Sequence, residues 1–225
     1  MFLLTGPRWV AALLLLVYLA FLGWYDGRGA ALTPVEIDGY ISRIRSIANT
    51  AGVTPDEILL GELKQLAASD DGKEFFMLNL INYHQQAQYP AGSALSGTGL
   101  EADARYNRAI VLYLLKHGGH PVFLGTPMGR FIDQVGDVHW QRVALVRYRS
   151  RRDLLNMVID LAAKPIAIHK WASIEKTQVF PVSSFFNLIQ LRGLVAVVLV
   201  LIGLAIHLLL RRRRFYTGTF LGATQ

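Results

Sequence analysis

The 225-residue chain is 52% hydrophobic and only 17% charged, with a formal net charge of +7, and its mean hydropathy of +0.33 is apolar for an ordinary soluble domain. The charge is uneven: residues 26 to 176 hold all 16 acids and 17 of the 23 bases, so the excess sits at Arg8, Arg192, Arg211, Arg212, Arg213 and Arg214, beside apolar runs rather than on a basic face, which excludes a nucleic-acid partner. Having no cysteine, the chain has no disulfide framework, thiolate nucleophile, cysteine metal site or lipid-anchored cysteine.

The first element is the uncharged run WVAALLLLVYLAFLGWY, the 17 residues 9 to 25. At about 1.5 Å per residue it just crosses a bilayer core of ~30 Å, with aromatic residues at both ends. A cleaved signal peptide is the alternative, because GAA at 29 to 31 ends in small residues; the length of the run and its bulky close, GWYD, favour an uncleaved anchor. A second run, GLVAVVLVLIGLAIHLLL at 193 to 210, holds one polar side chain, His207, within a turn of the arginines that follow. The positive-inside rule applied to Arg8 and to Arg211, Arg212, Arg213 and Arg214 places both termini in the cytoplasm of a two-span plasma (inner) membrane protein. RRRR is then a stop-transfer and topology signal that also attracts anionic lipid, so the bilayer is the first partner. Residues 26 to 190 lie on the far side, in the periplasm of a Gram-negative cell.

Between the two runs the helix starts are legible. Thr33-Pro34-Val35-Glu36 and Thr54-Pro55-Asp56-Glu57 each set Thr at the cap, Pro at the first position and an acid at the third. Two helices follow, roughly 34 to 49 and 55 to 68, as an adaptor. SDDGKE at 69 to 74 breaks the chain, and YPAGSALSGTG at 89 to 99 is a loop of small residues beside a cleft. The remaining pattern is strand 74 to 84, helix 101 to 117 ended by Gly118-Gly119, strand 120 to 127, strand 139 to 149, helix 151 to about 163 with a capping box at Ser150 and Asp153, and strand 177 to 182. The order is βαββαβ, which predicts an α+β, ferredoxin-like domain with an antiparallel sheet, flanked by one transmembrane helix at each end. The expected division is 1–28 N-terminal anchor, 29–73 helical adaptor, 74–183 ferredoxin-like domain, 184–214 transmembrane helix with its basic stop, and 215–225 cytoplasmic tail.

Period-two counting sets Phe75, Met77, Asn79, Ile81 and Tyr83 on one face of the first strand and Phe76, Leu78, Leu80, Asn82 and His84 on the other. Both faces are largely apolar, so the sheet needs a cover on each side. A second copy of the sheet is one candidate. The adaptor is the other, with an apolar stripe at Ile58, Leu59, Leu63 and Leu66.

FMLNLINY, LLKHGGHPVFLG and HWQRVALVRYRSRRDLLNM together resemble the dimeric α+β barrel superfamily, particularly a bacterial branch of unassigned function with an Asn-containing first strand, a Gly-Gly helix exit and a Trp-initiated third strand ending in Tyr-x-Ser-Arg. The resemblance spans about 74 to 182. This chain differs in having Arg149 where relatives usually have Pro, and in its paired anchors. The resemblance implies a homodimer and a cleft between sheet and helices, used in the wider superfamily by cofactor-free monooxygenases, lactone isomerases and haem-binding decolorising enzymes.

Polar residues embedded in apolar pattern are the candidate cleft: Asn79, Tyr106, Arg147, Tyr148 and His169. Asn79 could orient a carbonyl or sit satisfied by backbone; Arg147 could clamp a carboxylate or close an ion pair at the strand end; His169 could act as a base or axial ligand, or bond a carbonyl at a helix terminus. Arg147 and Tyr148 point to opposite faces. His117 and His120 are split by Gly-Gly without an acidic partner nearby in sequence, so no metal site and no cofactor are expected. No phosphate loop, nucleophile elbow or paired carboxylates stand out, and the catalytic residues are unknown. The expected function is an accessory or interaction module, as a homodimer or within a larger membrane complex. The alternative is a membrane-tethered enzyme or binding protein, monooxygenase- or isomerase-like, for a small apolar or aromatic molecule.

Overall fold

The computed structural model describes residues 8–27, 29–129, 131–132, 139–162, 164–184 and 191–221, with side chains to residue 210. The elements are α1 (Arg8–Tyr25), α2 (Pro34–Thr50), α3 (Glu57–Ala68), β1 (Phe75–Tyr83), α4 (Gly99–Lys116), β2 (His120–Gly125), β3 (Arg142–Tyr148), α5 (Arg151–Ala162), α6 (Ala167–Ser173), β4 (Ile174–Val182) and α7 (Leu191–Leu221). They fall into two compact units: Met1–Tyr25 with Phe186–Gln225, and Asp26–Phe185. The predicted adaptor and the sheet therefore share one unit.

In the first unit α1 and α7 each contain a window, Arg8–Tyr25 and Leu191–Leu210, long and apolar enough to cross a membrane. They pack together: the Tyr18 hydroxyl donates to the Arg192 carbonyl at 3.4 Å, the Arg192 guanidinium lies 4.8 Å from the Tyr25 ring centroid, and a Cβ on Gly203 would come 3.0 Å from Leu14. The helix does not stop at the arginines. Its backbone continues to Leu221, while the side chains of Arg211, Arg212, Arg213 and Arg214 lie outside the described residues.

The second unit is mixed α+β, built on a four-stranded sheet in the order β2-β3-β1-β4 with every neighbouring pair antiparallel. Thr33 caps α2 as the sequence predicts, with its hydroxyl accepting from the Glu36 amide and the Glu36 carboxylate accepting from the Thr33 amide. At α3 the cap is Asp56 instead of Thr54, because one carboxylate oxygen accepts both the Ile58 and Leu59 amides at 3.0 Å. In α3 Leu60 and Ala67 are buried and Leu63 and Leu66 pack against the cores, as half of the predicted stripe expects, while Ile58 and Leu59 are exposed. Leu60 and Ala67 join Ile37, Ile41 and Ile44 of α2 and Leu155 and Ile159 of α5 in one core cluster. The adaptor thus packs on α5 and widens the helical layer; it does not cover the second face of the sheet.

The other core cluster lies between sheet and helices, where Phe75, Met77, Val146 and Tyr148 meet Ile110 and Leu114 of α4 and Leu154 and Met157 of α5. The opposite face is read directly from the pairing. Phe123, Leu145, Leu78 and Phe180 stand side by side across all four strands, with Val143 and Leu80 in the next row. Phe123 is 55% exposed and Phe180 44% exposed, so this row is open to solvent in the single chain. Periodicity missed α6, which follows α5 after only four residues and supplies the start of β4.

Candidate functional site

The helix side of the sheet is closed at one end by a backbone junction. The His84 amide donates to the Ser173 carbonyl at 2.9 Å and the Gly99 amide to the His84 carbonyl at 3.1 Å, so the end of β1, the start of α4 and the end of α6 converge. Only glycine fits at position 99, since a Cβ there would lie 2.4 Å from the His84 oxygen and 2.8 Å from that of Ser173. Thr98 caps α4 with a second capping box, through Glu101.

This junction gathers polar groups inside an apolar layer. Asp103, one turn into α4, is buried, and its Oδ2 accepts from the Tyr83 hydroxyl at 2.8 Å and the Asn107 amide at 2.7 Å. The Arg142 guanidinium lies 6.0 Å from the Tyr83 ring centroid, and its buried Nε has no hydrogen-bond partner among the described residues. From α6 the Lys170 ammonium stands 5.8 Å from the Tyr106 ring and 5.2 Å from the Trp171 ring. Burial raises the Asp103 carboxyl, opposed by the Tyr83 hydrogen bond and the Arg142 charge, and burial lowers the Lys170 ammonium, opposed by Asp103. Burial, with the Asp103 charge, pushes Tyr106 up to about 12, and burial also raises Tyr83 and Tyr148. These phenols stay protonated near neutrality and can only donate or accept hydrogen bonds.

The predicted site residues divide. Tyr106 and Tyr148 are in the helix-side core, Tyr148 stacked on Phe75 with centroids 5.4 Å apart. Asn79 is satisfied by backbone, donating to the Met77 carbonyl at 3.0 Å and to that of Ala144 at 3.4 Å. Arg147 is fully buried, donates from Nε to Glu74 at 2.7 Å and from Nη1 to the Gly118 carbonyl at 3.0 Å, and occupies the opposite face from Tyr148. His169 bonds the Tyr89 hydroxyl at 2.9 Å through Nδ1, and Arg105 donates to that same hydroxyl at 3.1 Å and to the Ser96 carbonyl at 2.8 Å. The loop of small residues is thereby hooked to α4 and α6. Burial, then the Arg105 charge, lowers the His169 imidazole, which favours the neutral ring as acceptor from Tyr89. His117 pairs with Asp160 at 2.9 Å, and no cluster of metal-ligating side chains occurs among the described residues.

Sequence reasoning missed Tyr83, Asp103, Asn107, Arg142 and Lys170. Asp103, Tyr106, Asn107, Ile110 and Leu114 share one helix face at three- and four-residue spacing, and that polar intrusion into an apolar stripe was the available signal. Alternation from Val146 through Ala144 likewise sets Arg142 inward.

No protein-family model and no curated protein matches the chain. Among solved structures it is similar to a protein of unknown function, RPA0582 from Rhodopseudomonas palustris, at 25% identity and a TM-score of 0.51, covering 59% of this chain and 96% of that one. The methylated form of RPA0582 gives 26% identity and a TM-score of 0.52, over 59% and 94% of the two chains.

Proposed function

We propose that this chain is a two-span inner-membrane protein whose ferredoxin-like domain, held outside the cytoplasm with both termini inside, pairs with a second copy as a dimeric α+β barrel and acts as an accessory or interaction module. The observation that carries the reading is the row Phe123, Leu145, Leu78 and Phe180 across the sheet face opposite the helices. Full burial of one Leu or Phe side chain contributes about 1.5–3 kcal/mol, so an aligned row of four favours a cover, and an identical sheet related by a two-fold axis is self-complementary to it. The adaptor is engaged on α5 and leaves that cover to a partner.

The strand order β2-β3-β1-β4, with α4 and α5 as crossovers, supports the ferredoxin-like assignment. The match to RPA0582, over 59% of this chain and 96% of that one, supports reading the matched part as a domain. The two apolar helices and the basic residues beside them support the membrane topology. Light scattering of the detergent-extracted full chain tests the pairing: a protein mass of two copies is expected, and a mass of one copy contradicts it.

A second reading, a membrane-tethered enzyme or binding protein for a small apolar or aromatic molecule, is favoured by the ring-lined cluster of Tyr83, Tyr106 and Trp171 around Asp103 and Lys170.

A further inference from the structure

The loop between β1 and α4 is held by different means at its root and at its tip. At the root the bonds are backbone: the Ala87 amide donates to the Gly97 carbonyl and the Gln88 amide to the Ala172 carbonyl of α6, both at 2.8 Å. The tip, 90 to 96, is exposed throughout, and side chains fasten it. The Tyr89 hydroxyl meets His169 Nδ1 on α6 at 2.9 Å, with the two rings edge to face, and Arg105 of α4 donates to that hydroxyl at 3.1 Å and to the Ser96 carbonyl at 2.8 Å. Gly92 and Gly97, at φ 81° and 125°, bend the chain within the tip and just behind it, where residues with a Cβ would be strained.

We propose that this loop is an acid-released latch, in which protonation of His169 undoes the Tyr89–His169 fastening and frees the exposed tip while the backbone bonds keep the root in place. A guanidinium has no acceptor, so the Tyr89 oxygen accepts from Arg105, and the phenol proton is left to reach the bare Nδ1 of a neutral imidazole. On an imidazolium Nδ1 carries a hydrogen of its own. Two cationic donors then converge on one oxygen, and the phenol proton loses its acceptor. The charged and titratable groups about the ring are Tyr89 from the loop, Arg105 and Glu101 from α4, and Lys170 beside it on α6; Glu101 is committed to the Thr98 amide at the helix cap. Burial and then the Arg105 charge lower the imidazole from 6.5 in the closed form. The closed latch is therefore complete above pH 6.5 and weakens as pH falls from there toward the lower value that the closed form imposes. It rests on neither functional reading above.

The test uses the full chain in an uncharged maltoside detergent, with a nitroxide label on Ala94→Cys, an exposed tip position in a chain that has no cysteine of its own. Electron paramagnetic resonance gives an immobilised label at pH 8 and a growing mobile component as pH falls below 6.5 to 5, above the range in which Glu36 titrates. In the labelled chain His169→Gln abolishes the response to acid, and Tyr89→Phe shows the mobile component already at pH 8 with no further response. His84→Gln, at the end of β1, leaves the response intact. A spectrum unchanged between pH 8 and pH 5 overturns the latch, and so does a response that survives His169→Gln or is lost in His84→Gln. If His169→Gln fails to fold, Tyr89→Phe decides, because an acid response that persists without the hydroxyl overturns the latch as well.

Discussion

Phe180 of β4 is the register partner of Leu78 in β1, on the face of the sheet opposite the helix-side core. Leu145 and Phe123 extend the same row to the other edge, so the apolar band runs the width of the sheet rather than forming an isolated spot. This band is the observation on which the proposed pairing with a second copy rests.

The ion pair between helices makes a pH prediction. Glu36 accepts from Arg152 as well as from its own helix cap, and these bonds, Arg152 first, lower its carboxyl from 4.5 to about 2. A carboxylate depressed in the folded state contributes stability that is complete above pH 4.5 and is lost as pH falls through about 2. The melting temperature should therefore fall as pH drops from 4.5 through about 2, and Arg152→Gln should flatten that part of the profile. An unchanged slope in the variant would remove this pair from the account.

Arg147 is expected to be structural. Its guanidinium joins Glu74 at the start of β1 to the Gly118 carbonyl at the exit of α4, at 1% exposure. Arg147→Met should lower unfolding stability by about 1.5–3 kcal/mol, the scale for a hydrogen bond to a charged group. Denaturant titration checks this. Intact stability would return Arg147 to a ligand role.

Topology can be read with single cysteines, since the chain has none of its own. Cysteine at Ser69 or Ser96, both exposed, should react with an impermeant thiol reagent in intact cells, and cysteine at Thr217 should react only after lysis. Labelling at Thr217 alone reverses the orientation.

The legible parts of the sequence were those governed by local chemistry. The Thr33–Glu36 capping box, the Ser150–Asp153 pair and the Gly118-Gly119 exit each act within a few residues, and each appears as expected. Where local signals competed, reading faltered: Thr54 and Asp56 both qualify as caps, and the geometry selects the carboxylate that reaches two amides. The cover of the sheet was not legible, because an apolar stripe on a helix marks a packed face without saying which element it packs on, and α3 packs with α2 and α5. The polar cluster was hidden for a different reason. Asp103, Arg142 and Lys170 come from α4, β3 and α6, and only the convergence of His84, Gly99 and Ser173 brings those elements together.

The central claim is tested most directly by the mass of the detergent-extracted full chain carrying Phe180→Glu, beside the unmodified chain and Ile58→Glu. Ile58 is 81% exposed on α3, away from the sheet, so its substitution places the same charge on a different apolar surface position. Light scattering should give two copies for the unmodified chain and for Ile58→Glu, and one copy of a still-folded protein for Phe180→Glu. Two copies in Phe180→Glu, or dissociation by Ile58→Glu instead, would contradict pairing through the open face of the sheet.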